Sequence, residues 1–153
     1  MSLDYTGFKL GEKKILKDKE QFFDAAQKQI KDKLGADWQL VVDWPTIEKL
    51  TGDTGTNERA KNERKYLGGC VYQNYCRSLG EEISKWGAEI VEAVNDAITD
   101  KKIIVTMDPV HVDARYSVKV GKSIEVLIQQ EKICYEYAAS DPNSVTATVE
   151  KSL

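Results

Sequence analysis

His111, Asp113 and Arg115 alternate with Val112 and Ala114, so in an extended strand all three project from one face. An imidazole oriented by a carboxylate can act as a general base, and an arginine can hold a carboxylate or a phosphate. The same trio also makes an ordinary solvated sheet face. No nucleophile or glycine-rich loop adjoins it, so no catalytic residue is assigned. The three stand as candidate ligand-binding residues. A second candidate is the stretch GDTGTN at 52–57, which precedes a helical run. Backbone amides at a helix start point outward and favour an anion. Gly52, Gly55, Thr56, Asn57 and Arg59 form that candidate set, with Lys61, Arg64 and Lys65 nearby and Asp53, Glu58 and Glu63 opposing them.

Two other patterns lead to less. VGKS at 120–123 ends like a phosphate-binding loop, but Tyr116 stands where the first glycine belongs and the context is strand–turn–strand. Cys70 and Cys76 lie six apart, outside zinc-ligand spacing, and the single histidine is far along the chain. No metal and no cofactor are therefore expected. The odd count of three cysteines without an export signal predicts free, buried thiols in a reducing cytoplasm.

The elements that must carry these residues fit one domain over 1–153, with 1–16 as an arm. The chain is 41% apolar and 31% charged with formal net charge −3. That composition excludes a disordered chain and offers no general attraction to nucleic acid. No apolar run is long enough for a membrane span.

Asp18 and Gln21 form a capping-box pattern, after which Phe22, Phe23, Ala26, Ile30 and Leu34 recur at helical spacing up to Gly35. Trp38, Leu40, Val42 and Trp44 then alternate as a strand, closed by Pro45, which can open a short helix carrying Ile47 and Leu50. A seam of Tyr72, Cys76, Leu79, Ile83, Trp86, Ile90, Val94 and Ala97 follows as one bent helix over 69–99 or, preferably, two meeting near residue 79. Gly80 and Gly87 beside it would let another backbone approach, from this chain's sheet or from a second copy. Glu81, Glu82, Glu89, Glu92, Asp96 and Asp100 are expected on the solvent side.

Beyond residue 102 the period becomes two. Residues 103–107 read as a strand and 110–120 alternate without error. A three-residue loop at Gly121–Ser123 sets Val120 opposite Ile124, Val118 opposite Val126, Tyr116 opposite Ile128 and Lys119 opposite Glu125. Pairing Val126 with Tyr135 adds a third meander strand. VTATV at 145–149 reads as an edge strand, or 140–153 as a loose tail. The helix–strand–proline order recurs in FDAAQKQIKDKLGADWQLVVDWP and VEAVNDAITDKKIIVTMDP, which independent use of one simple arrangement explains.

The fold class is thus α+β: a mainly antiparallel sheet, its C-terminal meander included, with one face covered by two or three helices. The functional expectation is a small cytoplasmic protein-interaction or structural module. It self-associates as a homodimer or meets an unidentified protein partner, with no nucleic acid and no membrane. The alternative is a small-molecule or anion-binding protein, or an enzyme, using the His111, Asp113 and Arg115 face or the 52–57 loop.

Overall fold

The computed structural model describes residues 8–52, 67–109, 115–129 and 137–153. In chain order the elements are α1 (Leu10–Leu34), β1 (Gln39–Val42), α2 (Trp44–Gly52), a π-helix (Gly68–Cys76), α3 (Arg77–Ser84), α4 (Ala88–Ala97), β2 (Lys102–Met107), β3 (Tyr116–Val120), β4 (Ile124–Ile128) and α5 (Val145–Ser152). Among the described residues none of these helices is long and apolar enough to cross a membrane.

The α+β class holds, but the sheet is not mainly antiparallel. Its order is β1-β2-β4-β3, with β1, β2 and β4 parallel and β3 alone antiparallel. The correction has a specific cause. β2 inserts between β1 and β4, pairing Ile103 with both Leu40 and Ile124. Val126 is paired on both sides, with Val105 and with Val118, so β4 offers no side to a third meander strand; Tyr135, the expected partner, lies outside the described residues. Residues 130–136 lie outside the described residues, and Tyr137 is buried and not in a strand. The two helix–strand–proline units place their strands, β1 and β2, side by side in parallel.

The hairpin register agrees with the sequence: Val120 faces Ile124, Val118 faces Val126, Tyr116 faces Ile128 and Lys119 faces Glu125. Gly121 N–H donates to the Ser123 carbonyl at 3.0 Å, and the Ser123 hydroxyl donates to Asp100 Oδ2 at 3.0 Å, fixing the turn. Alternation determines this outcome because slipping β3 by one residue would turn its whole apolar set to the opposite face.

Helical boundaries moved more. α1 begins at Leu10 rather than after Asp18, because the Glu12 carboxylate accepts from Lys9 N–H at 2.8 Å and Phe8 docks edge-on against Trp44. The expected arm is therefore helical from Leu10 onward. Gly35 closes α1 at φ 133°, a conformation that glycine adopts freely. The seam helix breaks at 85–87 rather than near 79. Through 79 it runs unbroken as the π-helix passes into α3, where Arg77 N–H reaches back five residues to the Tyr72 carbonyl. Gly87 then takes an extended conformation and starts α4.

VTATV is a helix, not an edge strand. Ser144 accepts from Ala147 N–H at 3.2 Å as an N-cap, and Val145 and Val149, four apart, bury one face.

The helices cover one sheet face, where Leu40, Val42, Ile103, Val105, Ile124, Val126 and Ile128 are buried. Trp38, Trp44 and Trp86 are core, as their apolar bulk predicts. Their indole N–H groups all have partners: Asn95 Oδ1 at 2.8 Å, Tyr72 Oη at 2.9 Å and Thr146 Oγ1 at 2.8 Å. Asn95 also donates to the Leu34 carbonyl at 3.1 Å, so one amide satisfies the end of α1 and the Trp38 ring.

Gly80 does allow a close backbone approach, but to neither expected partner. It packs on α1, where an added Cβ would stand 2.7 Å from Ala26 Cα. The seam beside Gly80 is thereby an internal contact and not a surface for a second copy. The cysteines also depart from expectation. Cys70 is disulfide-bonded, whereas Cys76 is a free thiol in the core whose pKa burial pushes up. An oxidised Cys70 removes the argument from free thiols to a reducing compartment.

Candidate functional site

Of the face singled out in the sequence, Arg115 is exposed at the entry to β3, and its carbonyl accepts from Gln129 N–H at 3.1 Å. His111 and Asp113 lie outside the described residues. Of the anion-binding set, Gly52 is the last residue of α2, and Gly55, Thr56, Asn57 and Arg59 lie outside the described residues. Neither set is assembled by the residues described. Among these, no three His, Cys, Asp or Glu side chains converge as a metal would require.

Glu82 is the polar residue that sequence reasoning misplaced. It was expected in solvent and is buried, at 6% exposure. Tyr137 donates its hydroxyl to Oε1 at 2.5 Å, and Thr146 donates its backbone N–H to Oε2 at 2.8 Å and its hydroxyl to the same oxygen. The carboxylate thus sits at the positive end of α5 and caps it from another helix. Val145 N–H donates to the Tyr137 hydroxyl at 2.8 Å, closing the network. Burial, reinforced by the Glu82 charge, pushes the Tyr137 hydroxyl well above the ordinary tyrosine pKa. A cleft of about 430 Å³ opens beside this clamp, lined by Ser78, Glu81, Lys85, Trp86 and Ile90 among others. The clamp's chemistry is spent within the chain, on docking α5 to α3. A signal for it existed: Leu79, Glu82, Ile83 and Trp86 follow i, i+3, i+4, i+7 spacing, so Glu82 lies on the buried stripe.

The sheet has two edges among the described residues, and they differ. On β1 the edge is closed. Gln27 of α1 accepts from Leu40 N–H through Oε1 at 2.9 Å and donates through Nε2 to the Trp38 carbonyl at 3.4 Å. One side-chain amide thereby occupies two of the main-chain groups that face this edge, the Trp38 carbonyl and the Leu40 N–H. The apolar residues there, Leu40 and Val42, are buried.

On β3 the edge is accessible at Val118 and Val120 but not at Tyr116, which is buried. The bonds from Gln129 N–H to the Arg115 carbonyl and from Gly121 N–H to the Ser123 carbonyl set the phase of the ladder. Residues 115, 117, 119 and 121 therefore exchange hydrogen bonds with β4, and Tyr116, Val118 and Val120 turn their N–H and C=O groups outward. Val118 and Val120 have no main-chain partner on that side among the described residues. Both side chains are half-buried, although Val126 and Ile124 directly across the ladder are buried completely. The C-terminal helix α5 packs on β3 and Tyr116 is buried, so the apolar face is only partly accessible at Val118 and Val120 among the described residues. Lys119, exposed on the other face opposite Glu125, is the only charged residue of the strand.

No protein-family model, curated protein or solved structure matches this chain.

Proposed function

We propose that this protein is a small protein-interaction module that accepts an extended segment of polypeptide as an added strand on the outer edge of β3. The observation that supports the reading is the contrast between the two sheet edges at their centres. On β1 Gln27 holds the Trp38 carbonyl and the Leu40 N–H and the edge residues are buried, whereas on β3 the outward main-chain groups of Val118 and Val120 have no partner among the described residues and both side chains are partly accessible. Main-chain hydrogen bonds supply affinity in strand addition, and alternate side chains supply selectivity. Here the incoming strand would extend the apolar row of Val118 and Val120 on one face and meet Lys119 and Ser117 on the other. The chemistry asked of the site is recognition alone.

A short extended peptide, N-methylated at alternate residues so that one edge alone can pair, tests this directly. Titrated into the isotopically labelled protein, it is expected to shift the amide resonances of Val118 and Val120 first. Shifts confined to the cleft beside Glu82, with β3 unmoved, would refute the assignment and favour a ligand-binding role for that cleft.

A further inference from the structure

Resting on the strand-addition reading, we infer that the segment accepted by this edge is acidic: a short extended stretch of another protein in which a glutamate or aspartate, flanked by two apolar residues, lies opposite Lys119. Two observations carry this, the extent of the accessible edge and the charge along it.

The edge is short. Tyr116 is buried against Tyr75 and Tyr137, and α5 packs on β3, so the accessible outward main-chain groups are those of Val118 and Val120. A strand added antiparallel forms hydrogen-bonded pairs at those two positions, and its residue between them falls opposite Lys119 as a non-hydrogen-bonded pair. Side chains come closest in pairs of that kind, where Cα atoms lie about 4.5 Å apart. The central residue of the incoming strand is therefore the one that Lys119 reads, and the residues on either side of it extend the row of Val118 and Val120.

The charge along this edge has one sign. From 115 to 122 every charged side chain is an exposed cation: Arg115 at the entry, Lys119 at the centre and Lys122 in the turn. Lys119 makes no ion pair among the described residues, even with Glu125 across the ladder. The two carboxylates nearby leave room for a third. Asp100 accepts from the Ser123 hydroxyl at 3.0 Å, and Glu125 stands on β4, one strand further in. Strands lie about 4.8 Å apart, so a carboxylate opposite Lys119 stays about 10 Å from Glu125, with the ammonium between them. That separation matches the screening length at about 0.1 M salt. A lysine on an edge strand discourages indiscriminate pairing, and like charges directly opposite each other destabilise a strand pair. The side chain that turns away a basic strand thus favours an acidic one, which is how selectivity arises from repulsion and attraction together.

The probes are three versions of one capped peptide, alike except that the residue between two valines is glutamate, glutamine or lysine. The central residue is N-methylated, because its N–H points away from β3 in this register. Titrated into the labelled protein and read at the Val118 and Val120 amides, the glutamate peptide is expected to bind roughly two- to fivefold more tightly than the glutamine peptide, and the lysine peptide more weakly by a similar factor. The gaps should narrow in 1 M salt. Lys119→Glu is expected to reverse the order. That variant sets two glutamates face to face across the ladder, so Lys119→Gln, expected to abolish the preference, serves if it fails to fold. Equal affinity of the glutamate and lysine peptides for the unmodified chain would overturn the inference, as would a glutamate preference that persists in Lys119→Gln. In either case shifts at Val118 and Val120 leave strand addition standing. If none of the three peptides shifts them, strand addition falls and the acidic partner with it.

Discussion

Gly80→Ala puts the packing of α1 against α3 to a test in which two effects of known size oppose each other. In a helix interior alanine is favoured over glycine by about 1 kcal/mol. At Gly80 the new methyl would stand 2.7 Å from Ala26 Cα, 2.9 Å from Ala26 Cβ and 2.5 Å from Gln29 Oε1. Carbon atoms in contact prefer about 3.5–4.0 Å, so the two helices must part by roughly an ångström. The side chain of Gln29 can swing aside, but the Ala26 backbone cannot. Overpacking of this kind costs about 1–3 kcal/mol and occasionally more, which outweighs the propensity gain. The net expectation is a loss of up to roughly 2 kcal/mol, the overpacking cost less the propensity gain. Gly11 supplies the control. It lies in the same α1, and nothing stands within 4 Å of the position its Cβ would take. Gly11→Ala should therefore stabilise by a few tenths of a kcal/mol up to about 1 kcal/mol. Urea unfolding followed by tryptophan fluorescence reads both changes as midpoint shifts at constant slope. If Gly80→Ala were as stabilising as Gly11→Ala, α1 and α3 would not be in backbone contact, and the seam would again be open to another partner.

Tyr75 is completely buried and its hydroxyl has no hydrogen-bond partner among the described residues, so Tyr75→Phe should be neutral or stabilising by up to about 1 kcal/mol in the same assay; a loss above 1 kcal/mol would reveal a bond to that hydroxyl. Glu82→Ala strips the cap from α5 and leaves the Thr146 N–H and Tyr137 hydroxyl without their acceptor, at a cost of about 3 kcal/mol. It should also change Trp86 fluorescence, since Trp86 donates to Thr146, and an unchanged spectrum with full stability would remove Glu82 from its role as clamp. Burial is the main cause that raises the pKa of Tyr75, Tyr116 and Tyr137, so the folded chain holds these protons more tightly than the unfolded chain. Their contribution is complete below about pH 10, the unfolded tyrosine value, and is lost as pH climbs above it. Tyrosinate absorbance from these rings is expected to rise together with unfolding, and ionisation near pH 10 with circular dichroism intact would contradict their burial.

What could be read from the residues was local. The β3–β4 register was legible because unbroken alternation flanks a short turn, and a slip would invert both faces. The parallel neighbours of β2 were not legible, because KIIVTM records that a strand is buried but not which strands lie beside it. VTATV misled because residues four apart share a face in a strand and in a helix alike; the Ser144 cap distinguished them. At Glu82 charge type outweighed position in the reading, although its place on the Leu79–Trp86 stripe pointed inward. The open edge depended on all of these at once. It emerged only when α5 had left the sheet and β2 had filled the far side of β4.

Residue-resolved hydrogen exchange with and without the N-methylated peptide tests the central claim most directly. In dilute protein the Ser117 and Lys119 amides, bonded to β4, should exchange slowly, while the outward Val118 and Val120 amides exchange fast. With the N-methylated peptide in excess, Val118 and Val120 should slow to match their neighbours. Fast exchange at Val118 and Val120 at saturating peptide would contradict an edge that receives a strand.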